Sequence, residues 1–164
     1  MALTFADFNG QAVYLDTTAF YQLIRGLSAD AVALFDAIEN GRIAAYTSVL
    51  AFDEVAYRMV LALIRDKYGR SPLDRLRENK PQMMMEFYPQ VEPRLQLFQN
   101  FTYLTIAPVT PDDLKSMHDN IRRYGSLPRD ALHLAAMQKV GCFHLVSQDS
   151  DFDHIPTIQR YTLG

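Results

Sequence analysis

The chain has 164 residues and a formal net charge of −3, with 49% hydrophobic and 21% charged residues, so we expect one globular domain over residues 1–164 rather than a disordered chain. No apolar run is long enough to span a bilayer, so no membrane association is expected. Cys142 is the only cysteine, which excludes an intramolecular disulfide and favours a cytoplasmic location.

Short runs rich in Val, Ile, Tyr and Thr predict β-strands, and segments of helical period separate them. Ser28 can cap a helix that ends near Gly41, and an apolar stripe predicts a long helix over about 50–68. The predicted strands are 11–16, 42–48, 101–108, 142–148 and, as a weaker candidate, 157–163.

Three further helical segments are predicted in the second half of the chain. Thr110 is expected to cap a helix that ends before Gly125, and a helix with Pro128 near its start ends at Gly141. Two prolines within 81–100 predict one kinked helix or two short helices. Strands that alternate with helices predict a three-layer α/β/α sandwich with a mainly parallel central sheet.

Four acidic residues occupy positions where a parallel sheet forms its ligand site. Asp16 and Asp149 each end a predicted strand, and ligands of open α/β sheets bind at the carboxyl ends of strands. Asp130 lies in the first turn of its helix, where the helix dipole favours a carboxylate, and Glu54 lies off the apolar stripe of its helix. Each acid taken alone can equally be a dipole partner or a solvated side chain.

Taken together, four carboxylates at one edge of a sheet would repel each other unless a cation lay between them. Mg²⁺ or Mn²⁺ is the natural choice, because these ions prefer carboxylate oxygen. A metal ion held in this way activates water against a phosphodiester bond. The sequence has no phosphate-binding glycine loop and no nucleophile elbow. Cys142 is expected in the core, and His133 is interpreted as a packed histidine rather than a ligand.

The sequences "VYLDTTAFYQLI", "YTSVLAFDEV", "RDALHLAAM" and "LVSQDSDFDHI", taken in this order, resemble the PIN-domain family and, within it, the VapC-type toxin ribonucleases of bacterial toxin–antitoxin pairs. The resemblance extends over nearly the whole chain and implies a PIN-like fold. It also implies that the catalytic, metal-binding residues are Asp16, Glu54, Asp130 and Asp149.

The same resemblance implies supporting roles for the neighbouring residues. Ser147 and Thr17 would donate hydrogen bonds to carboxylates or phosphate, and Asp151 would be accessory or structural. Asp153, the last of three closely spaced aspartates, is interpreted as a solvated turn acid. An RNA-binding surface is assigned only by charge, with Arg129, Arg122, Arg123 and the basic segment 65–80 as candidates.

The main hypothesis is therefore a Mg²⁺- or Mn²⁺-dependent endoribonuclease, the toxin of a toxin–antitoxin pair. Its expected partners are RNA, a cognate antitoxin and a second copy of the chain in a homodimer. One alternative is a PIN-fold nuclease outside any such pair, acting in RNA processing or on DNA. Another is a catalytically inactive binding module. Residues 66–100 match no motif and leave the choice of substrate open.

Overall fold

The structure is a computed structural model that describes residues 1–164. Its strands are β1 (Leu3–Thr4), β2 (Ala12–Leu15), β3 (Ala44–Ser48), β4 (Leu104–Ala107), β5 (His144–Val146) and β6 (Gln159–Thr162). Its helices are α1 (Thr17–Arg25), α2 (Ala29–Glu39), α3 (Val49–Tyr68), α4 (Pro72–Glu78), α5 (Lys80–Gln99), α6 (Asp113–Tyr124) and α7 (Pro128–Val140).

The six strands form one sheet in the order β1-β6-β5-β2-β3-β4. Every neighbouring pair is parallel, so the predicted mainly parallel sheet is confirmed and is in fact wholly parallel. The central strands β2 and β5 are neighbours although more than a hundred residues separate them in the chain. Their carboxyl ends therefore meet at the middle of one edge of the sheet.

Strand β2 shows how the sheet is covered on both faces. Its residues Val13, Tyr14 and Leu15 are completely buried, as expected for a parallel strand with helices on either side. Successive side chains of a strand point to opposite faces. Accordingly, Val13 and Leu15 belong to one apolar cluster, with side chains of α1, α2, α3 and α5. Tyr14 belongs to a second cluster, with Leu134 and Met137 of α7. These two cores, one on each face of the sheet, confirm the predicted α/β/α sandwich.

The predicted helices are present, with shifted bounds in some cases. Ser28 caps α2 through a hydrogen bond from Ala31 N. The segment with two prolines is one continuous helix, α5, rather than two short ones. The prediction that Thr110 caps α6 was wrong, because α6 begins at Asp113 and the Thr110 backbone N–H instead donates to the Asp113 carboxylate over 2.7 Å.

Three elements were not predicted. Strand β1 has only two residues, too few to give a hydrophobic pattern. Helix α1 follows β2 with no loop, because Asp16 ends the strand and also caps the helix. Helix α4 is short and lies in the basic segment 65–80. The longest helices, α3 and α5, have twenty residues each, and no helix is both long and apolar enough to cross a membrane.

Candidate active site

Asp16 is the buried centre of a hydrogen-bond network at the carboxyl edge of the sheet. Asp16 is only 6% exposed to solvent. One carboxylate oxygen, Oδ1, accepts hydrogen bonds from the Thr18 backbone N–H at 2.8 Å and the Thr18 hydroxyl at 2.6 Å. The other, Oδ2, accepts from the Ser147 hydroxyl. Burial raises the pKa of Asp16, and the hydrogen bonds from Ser147 and Thr18 oppose that rise.

Ser147 links this network to Asp149. Its Oγ donates to Asp16 and accepts a hydrogen bond from the Asp149 backbone N–H at 2.9 Å. Ser147 is itself buried. The ends of β2 and β5 are thereby joined by one hydroxyl.

Three carboxylates lie within ion-binding distance of one another. Ligand oxygens of Asp130, Asp149 and Asp151 are all within 4.8 Å of each other. Asp130 projects from the first turn of α7. Asp149 and Asp151 come from the loop after β5, where the Asp151 N–H donates to Asp149 Oδ1 at 2.9 Å. An all-oxygen set of this size suits a hard divalent ion such as Mg²⁺ or Mn²⁺.

The electrostatics of Asp130 show that the three acids repel each other. Burial raises the pKa of Asp130, and the nearby charges of Asp149, Asp151 and Glu54 raise it further. A cation bound among these acids would relieve the repulsion. The donor set therefore fits a metal ion.

Glu54 lies beside this group, in different surroundings. Its Oε2 accepts a hydrogen bond from the Thr17 hydroxyl, and its Oε1 is 3.0 Å from Arg129 Nη1. Burial alone would raise the pKa of Glu54, but His133, Thr17 and Arg129 together outweigh it and lower the pKa to about 2. Glu54 is thus ionised at neutral pH. Arg129 also reaches Asp53, at 3.1 Å.

His133 is a packed histidine, as predicted, and is 3% exposed. Its Nδ1 is 3.1 Å from the hydroxyl of Tyr14, whose pKa is raised by burial. Its Nε2 is buried without a hydrogen-bond partner and lies 3.6 Å from Glu54 Oε1, beyond hydrogen-bond distance. His133 therefore faces Glu54 from the core side without a hydrogen bond to it.

The four predicted acids lie at the same edge of the sheet, but only two of them belong to the ion-sized group. Asp130 and Asp149 belong to the ion-sized group, together with Asp151, which sequence reasoning had ranked lower. Asp16 and Glu54 border that group and already accept hydrogen bonds from the protein.

Asp153 lies in an exposed turn, as predicted, but it is also part of an ion pair that the sequence did not reveal. Its two carboxylate oxygens accept hydrogen bonds from Nε and Nη2 of Arg160, both at 2.8 Å, and this pairing lowers the pKa of Asp153. Arg160 is buried and also donates to the Ser147 carbonyl at 3.1 Å. It comes from β6 and secures the loop that carries Asp149 and Asp151.

Sequence reasoning also missed Thr18, whose hydroxyl donates to Asp16 and accepts from the Gln148 N–H at 3.1 Å. Asp is a favoured N-cap residue that accepts a hydrogen bond from the backbone two or three residues later, a signal that could have identified Thr18 as a partner of Asp16. Of the arginines proposed to bind RNA, only Arg129 contacts a predicted acid. Arg122 pairs with Asp119, and Arg123 lies over the Tyr124 ring.

The sequence profile described as "PIN domain" matches residues 13–158. The chain belongs to the PIN domain family. No curated protein sequence matches this PIN domain significantly.

Solved structures with a similar fold include VapBC2 from Rickettsia felis bound to a DNA fragment from its promoter, at 12% identity and a TM-score of 0.60, covering 94% of this chain and 100% of that one. Another is VapC20 from Mycobacterium tuberculosis, a sarcin–ricin loop cleaving toxin, at 15% identity and 0.54, covering 86% and 92%. A third is DNA-bound VapBC from Salmonella typhimurium, at 14% identity and 0.53, covering 93% and 98%. At these low sequence identities the similarity shows a shared fold and nothing more.

Proposed function

We propose that this PIN domain is a metal-dependent endoribonuclease and the toxin of a toxin–antitoxin pair. The observation that carries the proposal is the group of three carboxylates, Asp130, Asp149 and Asp151, with ligand oxygens within 4.8 Å of each other at the edge of the sheet. The structural neighbours support the toxin assignment, since they are VapC proteins or VapBC complexes and one is a toxin that cleaves the sarcin–ricin loop.

The acidic residues of the site have different proposed roles. Asp130, Asp149 and Asp151 would hold Mg²⁺ or Mn²⁺, with Asp16 and Glu54 completing the acidic edge. When bound, such an ion supplies a Lewis acid and lowers the pKa of coordinated water. Asp16, fixed by Ser147 and Thr18, keeps the ends of β2 and β5 in register.

We assign Glu54 a separate role from its hydrogen bonds together with its lowered pKa. A carboxylate with a pKa of about 2 is a weak proton acceptor at neutral pH. It remains an acceptor of hydrogen bonds, however. We therefore assign Glu54 to orienting the attacking water rather than deprotonating it. Thr17 and Arg129 hold the Glu54 carboxylate in one orientation, which suits this task.

The test is cleavage of an end-labelled structured RNA by the purified chain. We expect cleavage with Mg²⁺ or Mn²⁺, none with excess chelator, and a loss of at least about a hundredfold in Asp149→Asn, the usual scale when a group that stabilises the transition state is removed. Asp119→Asn is the matched control, because Asp119 is an exposed ion-pair acid on α6. Cleavage by Asp149→Asn and by the chelated protein at the rate of the original protein with Mg²⁺ would refute the metal mechanism.

The proposed partners are tested separately. A cognate antitoxin should co-purify with the chain when the neighbouring reading frame is expressed with it, and should suppress the cleavage. The proposed homodimer would give twice the monomer mass in light scattering. Cleavage that no neighbouring gene product suppresses would instead favour a nuclease that acts outside a toxin–antitoxin pair.

A further inference from the structure

A cation-rich surface begins next to Glu54 and leads away from the acidic edge. It is formed by the exposed side of α3, by α4 and by the first turn of α5. Residues 65–80 contain six of the chain's sixteen Lys and Arg residues against three acids, although the chain as a whole carries a net charge of −3. Positive charge is therefore concentrated in one part of a negatively charged protein.

Tyr57 is the aromatic residue at the centre of this surface. It lies one helical turn after Glu54 on α3, so the two side chains are neighbours on the same face. Tyr57 is 48% exposed, and no other aromatic ring of the chain stacks on it. Its ring is therefore available to a ligand.

Two depressions meet at Tyr57. The first has a volume of about 510 Å³ and is lined by Asp53, Glu54, Tyr57, Arg58 and Arg129. The second has a volume of about 380 Å³ and is lined by Tyr57, Leu73, Leu76, Arg77, Lys80 and Met84. Tyr57 lines both, so the two depressions lie next to each other and together make a path, with Glu54 at one end and α4 and α5 at the other.

Three cations along this path have no carboxylate partner. Arg77 and Lys80 are exposed and make no ion pair. Arg58 lies 4.4 Å from the centre of the Tyr21 ring, a contact that holds the guanidinium without neutralising it. By contrast, Arg25, Lys67 and Arg129 pair with acids. The unpaired cations lie on either side of the exposed tyrosine.

We propose that this path, the α3–α4 track, binds single-stranded RNA on its way to the carboxylates, an inference that rests on the proposed nuclease function. An exposed aromatic ring between unpaired cations is the arrangement that proteins use for single strands, with a base stacked on the ring and phosphates on the cations. A duplex would not fit, because its bases are already stacked on each other. The continuity of the track with Glu54 gives the strand a path to the site.

The test measures binding of a short fluorescein-labelled single-stranded RNA by fluorescence anisotropy, in chelator so that no divalent ion supports cleavage. Tyr57→Leu should weaken binding by at least about fivefold, the loss expected for one stacked base. Tyr57→Phe keeps the ring and should bind within about twofold of the original protein. If Tyr57 only packed against neighbouring helices, the Tyr57→Leu and Tyr57→Phe variants would not differ in RNA affinity in this way.

A second experiment tests the contribution of the cations to RNA binding, with the double variant Arg77→Ala and Lys80→Ala. The slope of log affinity against log salt should become shallower by about 1.4, since each phosphate contact of a single strand contributes about 0.7. The matched control is Arg42→Ala with Lys115→Ala, which removes two exposed cations from other parts of the surface and should leave the slope unchanged. All these positions are exposed, so thermal melting should confirm intact folds.

The outcomes separate this inference from the proposed function. Normal RNA affinity in Tyr57→Leu and in the Arg77, Lys80 double variant would overturn the track while leaving metal-dependent cleavage standing. The predicted binding losses in a protein that never cleaves RNA would support the track and refute the nuclease. Unchanged RNA affinity together with loss of a dimer or of an antitoxin complex in Tyr57→Leu would identify the surface as a protein interface and overturn the inference.

Discussion

Ser147 donates a hydrogen bond to Asp16 across 131 positions of the sequence. The same hydroxyl accepts a hydrogen bond from the backbone of Asp149, so one side chain fixes two of the acids at the candidate site. The relationship exists because β2 and β5 are parallel neighbours in the sheet. We therefore expect Ser147 to affect both the stability of the protein and its proposed metal affinity.

We expect Ser147→Ala to lower the free energy of unfolding by about 1–3 kcal/mol, because it leaves a buried carboxylate oxygen of Asp16 without its donor. The concentration of Mn²⁺ that gives half-maximal cleavage should rise, since Asp149 also loses its anchor. Urea unfolding and a metal titration of activity measure the two effects. Ser150→Ala, at an exposed serine three residues away, is the control and should change neither.

Binding of Mn²⁺ should stabilise the folded protein. At concentrations that nearly saturate the site we expect a gain of about 1–3 kcal/mol by mass action, seen as a rise in Tm that grows with metal concentration. Asp149→Asn should lose most of this rise. An equal rise in the variant would mean that the ion binds elsewhere on the surface.

Asp130 should make the metal-free protein less stable as pH rises. Burial and neighbouring acids raise its folded-state pKa above 3.8, so the folded state holds this proton more tightly than the unfolded chain does. The resulting stabilisation is fully present below pH 3.8 and is lost as pH rises through the folded-state pKa. Glu54, with a lowered pKa, acts in the opposite sense, so the whole-protein profile mixes the two.

Comparison with Asp130→Asn isolates the contribution of Asp130. In chelator, the variant should have a higher Tm than the original protein at neutral pH, and the difference should shrink as the solution is acidified. With saturating Mn²⁺ the order should reverse, because the original protein then gains an ion that the variant holds poorly. A variant less stable at every pH would show that Asp130 has a structural role instead.

The Asp153–Arg160 pair should contribute more to stability than a surface ion pair. Asp153→Ala leaves the buried Arg160 guanidinium unpaired, and we expect a loss of about 2 kcal/mol, less than for a fully buried pair because Asp153 is partly exposed. This stabilisation is present above pH 3.8 and is lost as pH falls through the lowered pKa of Asp153. Asp119→Ala breaks two exposed ion pairs on α6, with Lys115 and Arg122, and should cost at most about 1 kcal/mol. Urea denaturation of both variants provides the comparison.

The positions of Asp16 and Asp149 could be predicted because an aspartate that follows a buried strand has only one edge of a parallel sheet to occupy. The closeness of Asp151 to Asp130 and the ion pair of Asp153 could not be predicted. The spacing of Asp151 and Asp153 suggests equivalent residues, whereas Asp151 lies within a short 3₁₀ turn at Ser150–Phe152 and Asp153 directly follows that turn. Asp151 lies near Asp130, and Asp153 pairs with Arg160 on β6.

Other parts of the fold give no local signal at all. The contact between Glu54 and Arg129 joins α3 to α7, 75 positions apart, and depends on how the two helices meet at the sheet edge. His133 was predicted to be packed because its helix is rich in Ala and Leu. That its Nε2 would face Glu54 follows only from the three-dimensional arrangement.

Strand β1 shields one of the two edges of the sheet, the edge formed by β6. It pairs with β6 through Leu3 and Thr4 alone, so the outermost strand offers too little free backbone to template another chain. A protein trimmed of its first ten residues would instead present the whole of Gln159–Thr162 as an open edge. Such a trimmed protein should be prone to aggregation during expression, which argues for keeping these residues when affinity tags are attached.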